Sequence, residues 1–359
     1  MRQVLNFAFA SGYLAKDGFH FWTKQGFQAC RFTRPWYEAL LQVWPTVLEH
    51  PAERPLRSAA YVSSEASRRA KKDVMVVGNT GIIDVRNTAS EDVPFIYESA
   101  AKAGVCAGFQ LFDECIGKLD AEQVDTLVLP PLEGMSKSVL KKIRELHGKG
   151  VNLVACEDVT GLEDLFGVRN TGKLKTITKV TPTGDFCRGM SEYCDDERCR
   201  GSYVADGAEV LLAAEIPVLT LKRNAKASAA FFNVAPHMVK EDRLYQRVGY
   251  GRTGISPLME KAAGDIMRML SQTGIEITAG RLVACKTRDG ASLVCVSNPD
   301  DENEMVTEIT IQKKGDLALD PEVNHDIFLL EEDKKSRTFR VLLPKGDALI
   351  MLFRQPTKK

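Results

Sequence analysis

Several features that mark special classes of protein are missing from this 359-residue chain. Lys and Arg number 48 and Asp and Glu also number 48, so the formal net charge is zero. No overall field therefore favours nucleic acid or an anionic membrane as a partner. No stretch approaches the roughly 20 apolar residues of a membrane-spanning helix. The N-terminus lacks the clean apolar core of a secretory signal, and we expect a cytoplasmic protein.

Tryptophan is absent from most of the chain. All three tryptophans, Trp22, Trp36 and Trp44, precede residue 45. The composition is otherwise that of an ordinary globular protein, with 44% hydrophobic and 27% charged residues, which excludes a disordered or fibrous chain. The start of the chain is therefore predicted to differ in structure from the rest.

The nine cysteines include no C-x-x-C pair. Their odd number and scattered positions favour reduced thiols over a disulfide framework. Cys187, Cys194 and Cys199 lie in an acidic loop, where three thiolates and a carboxylate could hold zinc. Their spacing, C-x6-C-x4-C, departs from that of structural zinc sites. We therefore expect surface cysteines, and no metal or other cofactor, with these three as the only candidate ligands.

Pattern changes divide the sequence into three parts. Residues 1–55 are predicted to form helix, strand, loop and helix, and a polar Pro-containing stretch at 49–55 ends them. Strand and helix patterns alternate over 56–275, which predicts an α/β domain with a parallel sheet. Short strands separated by turns fill 276–359 and predict an antiparallel β-sandwich.

The clearest unit of the α/β domain is a strand at 125–131, a helix at 136–147 and a strand at 151–156. Such a βαβ unit builds parallel sheets. A second helix is predicted after Ser256, which precedes Pro257 in the pattern of a helix N-cap. Gly249-Tyr-Gly-Arg-Thr-Gly254 matches the dinucleotide-binding pattern, but no strand precedes it, so we interpret it as an ordinary glycine-rich loop.

One possible nucleophile follows a predicted strand. Cys156 ends the run VNLVAC, and His147 and His237 are possible bases whose partners the sequence does not identify. Glu157 and Asp158 follow the thiol without a glycine, and carboxylates there raise a thiol pKa. A buried strand end is therefore the interpretation we prefer, with an amidotransferase-like enzyme as an alternative.

The segment GFHFWTKQGF, residues 18–27, is the most suggestive. A tryptophan at the end of a strand, followed by a glycine-containing loop, is typical of the substrate-contacting end of a (β/α)8 barrel. His20, Phe21 and Trp22 are therefore candidate sugar-binding residues. The alternative is that the aromatic residues pack in a core, since strand alternation turns only one of Phe21 and Trp22 toward any pocket.

Three segments, in this order, resemble the C-terminal half of glycoside hydrolases of the family 42 β-galactosidase type. VLNFAFASGYLAKDGFHFWTKQGF is similar to the last barrel helix and eighth strand. VDTLVLPPLEGMSKSVLKKIRELHGKGVNLVACED is similar to the second, glutamine-amidotransferase-like trimerisation domain. ISPLMEKAAGDIMRMLSQTGIEI and the strands after it resemble the join to the C-terminal β-sandwich.

This resemblance implies an α/β fold class: a flavodoxin-like or amidotransferase-like parallel-sheet domain, preceded by a barrel remnant and followed by an antiparallel sandwich. Enzymes of the family are retaining and use two carboxylic residues about 5 Å apart. These lie on the fourth and seventh barrel strands, so no residue of this chain is assigned a catalytic role. Trp22 is the position carried over, as a wall of a sugar subsite, although Thr23, Lys24 and Gln25 depart from the family's following loop.

The sequence thus predicts a carbohydrate-processing protein that lacks its own catalytic carboxylates. Its expected partners are a carbohydrate and other copies of the chain, a trimer by the resemblance, without nucleic acid or membrane. Two alternatives stay open. One is a non-catalytic oligomerisation or carbohydrate-binding module, and the other is the amidotransferase-like enzyme that would use Cys156.

Overall fold

The computed structural model describes the following residues: 19–23, 26–30, 52–70, 75–77, 83–85, 88–106, 108–194, 199–239, 256–298, 300 and 303–354. They divide into two compact units. The α/β unit comprises the described residues within 57–100 and 108–272, and the sandwich unit comprises those within 1–56, 101–107 and 273–359. No helix in these ranges is both long and apolar enough to cross a membrane.

The strands of the described residues are, in chain order, β1 (Phe19–Thr23), β2 (Gly26–Cys30), β3 (Ala52–Pro55), β4 (Ser58–Ser63), β5 (Met75–Val77), β6 (Ile83–Val85), β7 (Phe109–Phe112), β8 (Val124–Leu129), β9 (Asn152–Cys156), β10 (Val168–Thr176), β11 (Lys179–Pro182), β12 (Glu192–Tyr193), β13 (Arg200–Ala205), β14 (Glu209–Ala213), β15 (Pro217–Arg223), β16 (Ser228–Phe232), β17 (Ile275–Ile277), β18 (Arg281–Thr287), β19 (Ser292–Ser297), β20 (Met305–Gln312), β21 (Glu322–Val323), β22 (Phe328–Glu332), β23 (Ser336–Leu343) and β24 (Ala348–Phe353). The α-helices are α1 (Glu65–Ala70), α2 (Thr88–Lys102), α3 (Lys137–Gly148), α4 (Glu163–Phe166) and α5 (Pro257–Leu270). Short 3₁₀ turns span Asp113–Lys118, Pro236–Met238 and Gly315–Ala318.

The largest sheet of the described residues has nine strands, in the order β12-β11-β14-β15-β16-β9-β8-β4-β7. The last five are parallel, and their spatial order is the 2-1-3-4-5 order of flavodoxin-like folds. The prediction of a parallel sheet is correct for these five strands and wrong for the other four, which pair antiparallel. Short turns join β14 to β15 and β15 to β16, and a turn that short cannot carry the crossover a parallel pair needs.

The predicted βαβ unit is present as β8, α3 and β9, and every residue of both strands is buried. Ser136 caps α3 by accepting a hydrogen bond from the Val139 N–H. Ile143 and Leu146 turn the apolar face of α3 toward the sheet and are at most 1% exposed. Ser256 likewise caps α5 through the Met259 N–H, as its sequence pattern predicts.

The sandwich unit contains two antiparallel sheets, ordered β17-β20-β23-β22 and β21-β24-β19-β18-β3. Their inner faces share one apolar core, with Val294 and Met351 from one sheet and Ile309 and Val341 from the other. The stretch that the sequence presents as a polar break contributes β3, which pairs with β18 at the edge of its sheet. An edge position tolerates the proline that ends β3, because one side of an edge strand needs no ladder hydrogen bonds.

The predicted aromatic strand is present as β1, which pairs antiparallel with β2. The prediction of a glycine-containing loop after Trp22 is wrong, because Gly26 begins β2 and pairs with Thr23 across the hairpin. The strands of a (β/α)8 barrel pair in parallel, whereas β1 and its described partner β2 are antiparallel. Residues 31–51 lie outside the described residues, so the barrel remnant stays a prediction.

Candidate functional site

The order of the parallel strands locates a candidate site. In open α/β sheets, ligands bind beyond the carboxyl ends of the strands, where neighbouring connections leave on opposite faces. In the 2-1-3-4-5 order that point lies between the first and third strands, here β4 and β8. Ser64 follows β4, Pro130 follows β8 and Glu157 follows β9, so these residues stand along this edge.

The groups between β4 and β8 bind one another. Ser64 Oγ donates to Asp113 Oδ2 over 2.7 Å and accepts from the Ser67 N–H over 3.1 Å, which makes Ser64 the cap of α1. Ser67 Oγ donates to the Pro131 carbonyl over 2.5 Å. All three side chains are at most 6% exposed. These hydrogen bonds tie the ends of β4, β7 and β8 together.

A strained turn follows β9. Glu157 has φ 63°, in the left-handed region that residues with a Cβ rarely adopt. Its N–H donates to the Phe232 carbonyl over 2.6 Å, and the Asp158 N–H donates to the Cys156 carbonyl over 2.7 Å. Hydrolases of the α/β class hold their nucleophile on such a strand-to-helix turn. Here the turn carries a carboxylate, and Cys156 lies one residue earlier, fully buried in the sheet.

A tyrosine closes the next part of the edge. Tyr203 Oη donates to Asp158 Oδ2 over 2.7 Å and accepts from the Val159 N–H over 3.3 Å. Burial, with the nearby Asp158 carboxylate, raises the pKa of Tyr203 to about 12. The phenol therefore stays protonated and acts as a hydrogen-bond donor to Asp158. This network fixes the loop after β9 against β13.

The two candidate bases have different surroundings. His237 Nδ1 lies 2.7 Å from Asp92 Oδ1, and both side chains are at most 9% exposed. In such a pair the carboxylate orients the imidazole, as in many acid–base sites. Sequence reasoning missed Asp92 because it lies 145 residues from His237 and no local pattern connects them.

His147 lies at the opposite edge of the sheet from Cys156. Its Nδ1 is 3.0 Å from the carbonyl of Val151, which precedes β9, and Cys156 ends that strand. Five residues of extended chain span about 17 Å, so the structure does not bring this histidine and the thiol together. Burial lowers the pKa of His147, which favours its neutral form.

The chain is similar to known proteins in fold but not in sequence. No protein-family model and no curated protein sequence matches the chain. Among solved structures, alpha-L-fucosidase isoenzyme 2 from Paenibacillus thiaminolyticus matches 89% of this chain with TM-score 0.59 and 10% identity, over 51% of its own length. Gan42B, a GH42 beta-galactosidase, matches 84% with TM-score 0.52 and 13% identity, over 41% of its length.

The described fold is glycoside hydrolase-like. At such identities the likeness concerns the fold alone. The chain spans about half or less of the length of either structure.

Among the residues that the structure describes, the zinc site considered above is not assembled. Cys187, Cys194 and Cys199 are buried, so the expectation of surface cysteines is wrong for all three. Within the described ranges, no three His, Cys, Asp or Glu side chains are grouped so that they could hold a metal ion. Burial, assisted by Asp265, raises the pKa of Cys187 to about 11 and keeps its thiol protonated.

The candidate sugar-binding residues belong to a described strand, but their side chains lie outside what the structure describes. His20, Phe21 and Trp22 occupy consecutive positions of β1, and Trp22 is opposite Phe27 of β2. The glycine-rich loop Gly249–Gly254 lies wholly outside the described residues. The sugar-binding role of β1 in this glycoside hydrolase-like fold therefore stays a prediction.

Proposed function

We propose that the chain is a carbohydrate-processing protein, the counterpart of the C-terminal part of a retaining glycoside hydrolase, without catalytic carboxylates of its own. The supporting observation is the extent of the fold likeness, which covers 84–89% of the chain in both comparisons. Within this proposal, β1 contributes to a sugar subsite, and the α/β unit acts as a scaffold.

The hydrogen bonding of the α/β unit supports the scaffold role. At the edge where this fold class binds ligands, Ser64, Ser67 and Asp113 bind one another or the backbone. Asp158 is engaged by Tyr203 and by Thr160, whose Oγ1 donates over 2.9 Å. Groups that satisfy one another in this way stabilise the native arrangement of the strand ends.

Replacing Trp22 with alanine tests the sugar subsite. The intact chain should bind oligosaccharides that end in galactose or fucose, the sugars of the two matched enzymes. An indole that stacks on a sugar ring contributes on the order of 1.4 kcal/mol, so we expect about a ten-fold loss of affinity. Isothermal titration calorimetry of both forms measures it.

The matched control is Trp36→Ala, which removes the same kind of side chain from outside the predicted subsite. Its affinity should stay close to that of the parent chain, with circular dichroism confirming that both variants are folded. Equal affinities of the parent and the Trp22→Ala variant would remove β1 from the sugar subsite.

A second candidate function, assembly of several copies, is favoured by one surface. Phe328, Leu329 and Leu330 are 67%, 53% and 43% exposed on β22. This strand is the outermost of its sheet within the described residues. An exposed apolar edge strand can pair with another chain. We therefore expect light scattering to show an oligomer and the Leu329→Lys variant to shift the mass toward that of a monomer.

The control for this prediction is Leu174→Lys, since Leu174 is 60% exposed on β10, far along the chain from β22. That variant should keep the mass of the parent. An unchanged mass in Leu329→Lys would exclude β22 as the assembly surface.

A further inference from the structure

A surface cavity of about 440 Å³ lies in the α/β unit, between the loop at 185–188 and α5. Its volume is within the range of small-molecule sites, and it opens broadly to solvent. Loop residues Phe186 and Arg188 form one wall, and Lys261, Asp265 and Arg268 of α5 form the other. None of these residues belongs to the hydrogen-bonded edge described above.

A partly buried contact joins the loop to the helix. Cys187 is 6% exposed, and its Sγ lies 3.8 Å from Asp265 Oδ2. The backbone of Cys187 has φ 48°, a left-handed conformation that residues with a side chain rarely adopt. The flanking residues Phe186 and Arg188 both line the cavity.

The charges of the cavity favour an anion. Lys261 Nζ lies 2.8 Å from Asp265 Oδ2, and an Arg268 nitrogen lies 3.9 Å from Asp265 Oδ1. One carboxylate thus lies between two cations. Arg188 is 3.2 Å from Asp185, but their side chains are 81% and 92% exposed, so this ion pair contributes little. Among the described lining residues, three cations stand against two carboxylates, which gives a net charge of +1.

The cavity also offers apolar surface beside these charges. Phe186 is half-buried in the wall, and Met269 of α5 is 48% exposed beside Arg268. An aromatic ring packs on the C–H face of a pyranose, and a guanidinium binds a carboxylate or sulfate through paired hydrogen bonds. The two features together fit a sugar that carries a negative group.

We propose that this cavity binds an acidic pyranose unit, either a uronate or a sugar sulfate. The inference rests on the proposed carbohydrate-processing function and names a ligand class for a second site. The anionic group pairs with Lys261 and Arg268, and the ring packs on Phe186. Positions 261, 265 and 268 recur at helical spacing, so the three side chains share one face of α5. Asp265 lies between the two cations.

Calorimetry with three probes tests the proposal: a galacturonate disaccharide, galactose 6-sulfate and neutral galactose. We expect at least one of the two acidic probes to bind more tightly than galactose. The affinity of that probe should fall as salt is raised. The double variant Lys261→Gln/Arg268→Gln should lose at least ten-fold in that affinity. The control Lys137→Gln/Lys141→Gln makes the same charge change on the exposed face of α3 and should lose none.

Several results would overturn the proposal. Galactose could bind as tightly as both acidic probes, or neither acidic probe could bind. The double variant could also bind the acidic probe with the same affinity as the parent. Thermal melts of the variants confirm that α5 stays folded. If neutral oligosaccharides bind and depend on Trp22 but not on Lys261 and Arg268, the cavity proposal fails while the proposed function stands. If the cavity binds acid sugars and the Trp22→Ala variant is unchanged, the sugar subsite of β1 fails instead.

Discussion

Replacing Asp125 with asparagine is expected to change the free energy of unfolding more favourably at neutral pH than in acid. Asp125 is the second residue of β8 and is 1% exposed. Its Oδ2 accepts from the Gln272 N–H over 2.8 Å, and its Oδ1 is buried without a hydrogen-bond partner in the described residues. Burial raises the pKa of Asp125 to about 6, against the opposing effects of that hydrogen bond and of Arg57.

The direction of the pH dependence follows from that shift. The unfolded chain ionises Asp125 with a pKa of 3.8, whereas the folded chain holds the proton up to about pH 6. Its contribution to stability is therefore greatest in acid, falls between those two pKa values, and is constant above them. The difference amounts to about 3 kcal/mol when fully expressed. Asparagine has the same shape and no charge at any pH.

Chemical denaturation at a series of pH values measures this effect. Between pH 4 and pH 7.5, the free energy of unfolding of Asp125→Asn should rise relative to that of the parent by about 2 to 3 kcal/mol. Glu145→Gln is the matched control, because Glu145 is exposed on α3. If both variants follow the parent with parallel pH profiles, Asp125 is ionised in the folded protein at neutral pH without cost.

Replacing Arg337 with leucine should destabilise the sandwich unit by about 3 kcal/mol or more. Arg337 is 4% exposed, and its guanidinium donates to the carbonyls of Leu317 and Leu319. It also lies over the Phe339 ring, 5.7 Å from the centroid. Leucine fills part of the space but leaves the carbonyls of Leu317 and Leu319, in and just after the 3₁₀ turn, without their donor.

The ion pair of Arg337 provides the control. Asp320 lies 2.5 Å from the guanidinium, but its side chain is 97% exposed, so water screens the attraction. Asp320→Asn should therefore change the free energy of unfolding by less than about 0.5 kcal/mol. Urea denaturation of the full chain measures the free energy of unfolding of both variants. Equal losses would mean that the exposed carboxylate, and not the backbone carbonyls, carries the stabilisation.

Much of the secondary structure was predictable because its signals are local. The buried strands on either side of α3 have continuous apolar runs, and Ser136 and Ser256 precede their helices at capping positions. Strand pairing is a property of distant segments. The antiparallel pairing of β11, β12, β14 and β15 in the mixed sheet, and the pairing of β3 with β18, therefore escaped prediction.

The candidate site was less predictable, for the same reason. Glu157 adopts a left-handed conformation without the glycine or asparagine that normally announces one. The partner of His237 comes from α2, and the neighbour of Cys187 comes from α5, both far away along the chain. An acidic loop indicates exposure, yet tertiary packing buries its cysteines. The aromatic strand that carries Trp22 was found because its signal lies within a few residues.

Glycan binding measured together with sugar release is the most direct test of the proposed function. The intact chain is applied to an array of galactose- and fucose-terminated oligosaccharides, and the same glycans are then assayed for liberated monosaccharide. We expect binding to at least one of these glycans without hydrolysis, because we propose that this chain lacks the catalytic carboxylates of a retaining glycosidase. Hydrolysis by the purified chain, or failure to bind any glycan on the array, would contradict it.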